Sequence, residues 1–180
     1  FDPEGDETID NIYRCYFWMA YGGIDEDDTI FIRNEDVDFS EMIIRYKTIS
    51  VPIYREALPA FRNAVNLTSF VYRHPNYSKT IRRDRVPGDT IMRGIKAVTK
   101  TFTMRATLSK RNIKAVEEGK TDMQLSFYRV RMSGLFYRIY EMERAGIAPN
   151  FSDAALRVMD GKTYSLKRRE KIEHKQNRIE

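Results

Sequence analysis

TDMQLSFYRVRMSGLFYRIYEMERAG, residues 121–146, is the stretch on which the fold turns. Its apolar positions Leu125, Tyr128, Met132, Leu135, Phe136, Ile139 and Met142 recur at the 3.6-residue period of an amphipathic helix. Thr121-Asp122 offers a cap at the front and Gly146 a stop behind, so the pattern predicts a helix over 121–145. Arg129, Arg131, Arg138 and Arg144 lie among Phe127, Tyr128, Phe136, Tyr137 and Tyr140. The aromatics read mostly as core, and the arginines as partners for acids of the same or a neighbouring subunit.

Outward from that helix the same period dominates. Asp6 caps a helix carrying Ile9, Ile12, Tyr13, Tyr16, Phe17 and Met19, which stops at Gly22-Gly23. Thr29-Ile30-Phe31-Ile32-Arg33 is long enough only for a short strand or hairpin. Ser40-Glu41 opens a further apolar-periodic run through Ile43, Ile44 and Tyr46. Pro52 suits the first turn of a helix over 53–72, which Pro59 should kink or divide and His74-Pro75-Asn76 should end. Residues 77–88 read as a basic loop. Asp89 caps another helix reaching 106 or beyond, with Gly94 as its weak point. Pro149 and Ser152 introduce a short helix ending near Gly161, and from Tyr164 onward apolar residues are few. The expected fold is mainly α: a single helical-bundle core over 1–163, a short β-hairpin or strand near 29–38, and extended terminal arms. Residues 164–180 form a basic C-terminal arm or helix in this reading.

Charge is distributed as unevenly as hydrophobicity. Up to Glu41 there are 13 Asp and Glu against two Arg, a net of −11; residues 73–120 hold 13 Lys and Arg against four acids, a net of +9. A chain polarised this way offers one surface to a polyanion and another to a basic neighbour. A hydrophobic fraction of 42% with 12% aromatics is that of a chain with a core, not of a disordered one. No apolar run approaches the ~20 residues of a membrane span. The single Cys15 forms no internal disulfide and fits a reducing compartment as a buried thiol. Phe1 stands where an initiator Met would, which fits a fragment or processed chain, and no signal-peptide pattern is read.

Catalytic and metal chemistry find no purchase in the sequence. Two histidines, His74 and His174, and one cysteine exclude a Cys/His zinc site within the chain. There is no phosphate-binding glycine loop and no nucleophile elbow. Asp25-Glu26-Asp27-Asp28 lacks the alternation and the glycine of a calcium loop and reads as a solvated acidic loop. No catalytic residue, metal or cofactor is expected, and the protein is expected not to be an enzyme.

Residues 72–120 interleave cations with aromatics, which suits phosphates and unpaired bases. Arg93, Lys96 and Lys100 fall at steps of three and four on one predicted helical face, able to follow a phosphate backbone. The candidate RNA-binding set is Arg55, Arg62, Arg73, Lys79, Arg82, Arg83, Arg93, Lys96 and Lys100. The plainer alternative is an ordinary solvated basic face. Neither an RRM aromatic signature nor a KH glycine loop is present, so a sequence-tolerant grip on single-stranded RNA fits best.

Three stretches in order resemble the coat protein of flexuous filamentous, potyvirus-like plant viruses. They are Tyr13-Arg14-Cys15-Tyr16-Phe17-Trp18, then Pro52-Ile53-Tyr54-Arg55, then Tyr137-Arg138-Ile139-Tyr140-Glu141-Met142; Ala154-Ala155-Leu156-Arg157 follows. They cover about half of the chain, thinly. The resemblance implies a helical bundle that polymerises around genomic single-stranded RNA, in the virion and the host cytoplasm. It implies an RNA-contacting role for Arg55. The family's serine falls near Ile24 or Asp25 and its aspartate at Arg138, so neither is kept and the pocket chemistry must differ. The segment between Tyr77 and Thr121 is longer than the family's.

The expected function is thus a self-assembling RNA coat, copies joining through the acidic N-terminal region and the basic tail of Lys167, Arg168, Arg169, Lys171, Lys175 and Arg178. The alternatives are a basic subunit of a ribosome-like particle and a protein-binding adaptor.

Overall fold

The computed structural model describes residues 7–47, 49–73, 80–94 and 100–147. The expected Asp6 cap, the 149–161 helix, the Ala154–Arg157 motif and the 164–180 arm lie outside them.

Helix α1 (Glu7–Gly22) is the centre of the fold. Ile12, Cys15, Tyr16, Met19 and Ala20, at helical steps of three and four, are all buried. The helix stops where the sequence predicts: Gly23 takes φ 107° and its N–H reaches back to the Met19 and Ala20 carbonyls.

Two 3₁₀ turns follow, Glu26–Phe31 and Asn34–Asp36. Residues 29–31, expected in a strand, therefore lie in a turn. The sheet starts later and is larger, with β1 (Val37–Asp38), β2 (Ile43–Tyr46) and β3 (Ile49–Pro52) antiparallel in that order. Its register sets Val37 opposite Ile44 and Ile44 opposite Val51, so three buried side chains line one face. That shared face makes a strand of the periodic run after Ser40.

Pro52 ends β3 and does not open a helix. A 3₁₀ turn, Arg55–Ala57, leads into α2 (Leu58–Asn66), with Pro59 in its first turn where a missing N–H costs nothing. Pro59 thus divides the predicted 53–72 segment by starting its helix. The remainder is β: β4 (Ser69–Arg73) pairs antiparallel with β5 (Thr80–Asp84). Phe70-Val71-Tyr72 are aromatic and β-branched residues that favour a pleated surface over a helix. Part of the expected 77–88 loop is accordingly strand.

The helix predicted from Asp89 does not begin there. Ile91 N–H donates to the Ile32 carbonyl and Asn34 N–H to the Asp89 carbonyl, while the Ile91 and Met92 side chains are fully buried. Those cross-chain bonds hold 89–94 as an anchored turn, and α3 spans Thr101–Glu117. Helix α4 (Phe127–Arg144) begins at a Ser126 cap, whose Oγ accepts from the Arg129 N–H at 3.2 Å, later than the Thr121-Asp122 start. Its buried stripe is Phe127, Arg131, Leu135 and Ile139; Leu125, Tyr128 and Tyr140 are exposed, against their expected core placement.

Helix α1 packs against α4, α2, β3 and β4. Two glycines set the closest approaches. A Cβ on Gly134 of α4 would collide with the Tyr21 carbonyl, and one on Gly22 with the Val51 side chain.

Candidate nucleic-acid interface

Beside the buried stripe of α1 runs a second, only partly buried one. Arg14, Phe17, Trp18 and Tyr21, at i, i+3, i+4 and i+7, line a groove of about 610 Å³. Tyr54 and Glu56 enter from the segment after β3, and Val130 and Tyr137 from α4; Leu125 completes the wall. Gly134 sits between Val130 and Tyr137 on α4, and the close approach it permits brings the Tyr137 ring to 6.1 Å from that of Tyr21.

Tyr54 is the hub of the aromatic surface. Its ring lies 5.9 Å from Trp18 in a stacked arrangement, 5.1 Å edge-on from Tyr21 and 6.1 Å from Tyr137. Such offset and edge contacts hold the rings in fixed mutual orientation.

Arg138 supports this cluster from behind. Its Nη1 donates to the Tyr21 carbonyl at 2.8 Å and reaches the Tyr54 hydroxyl at 3.5 Å. The carbonyl belongs to the last turn of α1, where a cation complements the helix dipole. Burial lowers the Arg138 pKa below the ordinary arginine range, and its Nε and Nη2 are buried without a hydrogen-bond partner. Burial likewise raises the Tyr21 pKa, so its hydroxyl stays protonated.

None of the predicted RNA-binding residues is among those lining this groove; Arg55, between Tyr54 and Glu56, adjoins it in the sequence. Arg55 follows Tyr54, is exposed, and its side chain makes no ion pair or hydrogen bond among the described residues. Arg62 is exposed on α2 with its guanidinium 5.8 Å from the Phe39 ring. Arg82 and Arg83 are exposed on β5, Arg82 Nε donating to Ser69 Oγ at 3.0 Å. Arg73 ends β4, and exposed Lys100 precedes the first turn of α3. Lys79 and Lys96 lie outside the described residues.

Arg93 is a correction. It does not face solvent on a helix but is 8% exposed in the anchored turn. Its guanidinium donates to the Val65 and Thr90 carbonyls and to Asn34 Oδ1. Arg85 lies beside it, donating to the carbonyls of Ala64, Leu67, Ile91 and Arg93. Ala64 and Val65 belong to the last turn of α2, whose carbonyls have no partner within the helix. Two arginines therefore close the negative end of α2 from within the protein. Burial, and then the neighbouring Arg93 charge, lowers the Arg85 pKa to about 10, which still leaves it cationic at neutral pH.

The acidic run 25–28 is not a solvated loop either. Asp25 pairs with Arg131 of α4 at 2.6 Å, Glu26 with Arg105 of α3, and Asp28 with Lys47 at 2.7 Å. Glu26 also accepts from the Tyr16 hydroxyl. Burial pushes the Glu26 carboxyl up, but the bonds from Arg105 and Tyr16 outweigh it and hold the pKa below the usual range. Asp10 takes Arg111 at 2.7 Å. The separation of charge along the sequence is thus partly consumed inside the fold.

Among the described residues no cluster of His, Cys, Asp or Glu could hold a metal ion, and no helix is long and apolar enough to cross a membrane. Sequence reasoning missed the groove as a unit. Its signal was present: between Ile12 and Tyr21 Arg14 is the one charged residue, leaving more apolar and aromatic surface than a single core-facing stripe requires. Comparison of the chain with protein-family models, curated proteins and solved structures returns no match.

Proposed function

We propose that this chain is a structural RNA-binding protein, a coat subunit that self-assembles into a helical filament around single-stranded RNA with little regard for sequence. One observation carries the reading. Residues 13–18, 52–55 and 137–142, far apart in the chain, are the stretches that resemble filamentous coat proteins, and they meet at one aromatic groove. Arg14, Phe17 and Trp18 come from the first stretch, Tyr54 from the second and Tyr137 from the third, beside Tyr21, Glu56, Leu125 and Val130. Unpaired bases stack on aromatic faces, while Arg14 at the groove and Arg55 beside it supply charge for phosphates. Arg55 is exposed and unpaired, as a phosphate contact in waiting should be. Assembly in this reading runs through the basic tail and acids the fold has not already paired.

The test is anisotropy of labelled single-stranded RNA of several sequences across a salt series, with negative-stain microscopy of the same samples. Affinities within about tenfold of one another across sequences, some loss of affinity with salt, and filaments or rings support the reading. A solitary protein that leaves RNA unbound at low salt refutes it. Arg55→Ala should weaken RNA binding with the far-UV CD spectrum unchanged.

A further inference from the structure

We propose that the aromatic groove holds one unpaired base of the RNA strand and prefers guanine, with Glu56 reading the base edge. The inference deepens the RNA-coat reading and rests on it. Three consecutive residues supply three kinds of contact at one place. Tyr54 carries the ring surface, Arg55 an exposed cation, and Glu56 a carboxylate lining the groove.

Size and lining favour a flat, partly apolar ligand. The groove lies within the ~300–1,000 Å³ range of sites for small organic molecules. Its walls are aromatic apart from Val130, Leu125 and two charged side chains, Arg14 and Glu56. An aliphatic peptide side chain would use the apolar surface but leave the carboxylate without purpose. A nucleotide uses each element: the base stacks, Arg14 attracts the phosphate, and the carboxylate accepts from the base edge.

The carboxylate supplies selectivity. A carboxylate can only accept hydrogen bonds. Guanine presents two adjacent donors, N1–H and the N2 amino group, matching the two oxygens of a carboxylate. Adenine and cytosine present an amino donor beside an acceptor, and uracil presents one N–H flanked by carbonyl oxygens that would repel it. One bidentate pair is enough for about tenfold discrimination.

Trp18 is the only tryptophan in the chain and lines the groove, so its emission reports occupancy directly. The experiment titrates the full chain at low salt with GMP, AMP, CMP and UMP, exciting at the red edge of tryptophan absorption. A second arm titrates a uridine oligonucleotide with or without one central guanosine. The expected result is saturable Trp18 quenching by GMP at about tenfold lower concentration than by UMP. The guanosine-containing RNA should quench more strongly than all-uridine RNA. Glu56→Gln should bring GMP and UMP to near parity with the CD spectrum unchanged. Equal quenching by all four nucleotides, or a guanine preference that survives Glu56→Gln, overturns the proposal. GMP quenching that the guanosine-containing RNA cannot reproduce overturns the RNA source. RNA binding by anisotropy with Trp18 unmoved overturns the groove assignment and spares the coat reading. Selective GMP and guanosine-RNA quenching by a protein that never assembles does the reverse.

Discussion

Removing Arg85 tests whether this basic protein uses buried cations to hold itself together. Its guanidinium makes five hydrogen bonds to four backbone carbonyls, at 2.6–3.2 Å, with no carboxylate among them. Arg85→Ala leaves those carbonyls in a site that is 5% exposed in the native protein. A buried acceptor left without a partner costs about 1–3 kcal/mol. Water entering the vacated space will satisfy some of the four, and loss of the repulsion between Arg85 and Arg93 gives a little back. The net cost worked from these pieces is about 3–5 kcal/mol, comparable to breaking a buried ion pair. For a chain of this size that lowers Tm by roughly 10 °C. Arg85→Lys keeps the charge but offers three donors at one point in place of a planar fork, so it should recover less than half of the loss. The assay is urea unfolding followed by far-UV CD and Trp18 emission, with Arg83→Ala as the comparison. Arg83 is exposed on β5, two residues before Arg85, and its removal should change stability by no more than about 0.5 kcal/mol. An Arg85→Ala protein as stable as Arg83→Ala would refute the carbonyl-cage account.

Arg93→Ala should destabilise by about 2–3 kcal/mol through its bonds to the Val65 and Thr90 carbonyls, with the salt slope of RNA binding in the folded protein unchanged; a smaller slope would return it to the phosphate-contacting set. Gly134→Ala should cost at least about 1–3 kcal/mol and perturb Trp18 emission, because the added methyl meets the Tyr21 backbone and forces α4 off α1; urea unfolding and emission spectra check it. Glu26 has a depressed folded pKa, so its stabilisation is fully present above the unfolded value of ~4.3 and is lost as pH falls through the folded value. Glu26→Gln should therefore be less stable than the natural protein at pH 7, with the gap narrowing toward pH 3. Unfolding at the two pH values reads the difference, and a gap independent of pH would contradict the ion-pair assignment. A double-mutant cycle on Asp25 and Arg131 should give a coupling of about 1 kcal/mol or more, since the Arg131 side chain is only 10% exposed.

What the sequence made legible is the part decided by local period. The α1 pattern, its stop at Gly22-Gly23 and the mainly helical character all read directly from spacing. What it concealed was decided at long range. Ile43-Ile44 and Val51 reveal a strand only when the facing Val37 is known, because four-residue runs fit either period. The 90–94 turn is fixed by bonds to Ile32 and Asn34, nearly sixty residues earlier, which no window around Asp89 contains. Tyr128 fits the apolar period of α4 yet faces outward, where Arg131 takes a place in the core stripe to meet Asp25. For the groove, the sequence marked Arg55 and the three motifs but not their convergence.

The same logic changes what the net charge of +5 means for a polyanion. The arginine count overstates the cations available at the surface. Arg85 and Arg93 donate to carbonyls at the end of α2 and Arg138 Nη1 to one at the end of α1, while Arg105, Arg111 and Arg131 pair with Glu26, Asp10 and Asp25. A carbonyl end buried beneath packing needs a donor, and a long guanidinium reaches it where no N–H of the chain can. The charge left for phosphates is then carried by exposed groups such as Arg55, Arg83 and Lys100, which lie on separate elements and not along one helical face. Affinity for RNA in such an arrangement draws less on the summed charge and more on stacking, which salt barely screens. A protein of this kind should keep a larger fraction of its RNA affinity at high ionic strength than its pI near 9.3 suggests, and should lose that residual affinity when Tyr137 is replaced by Ala.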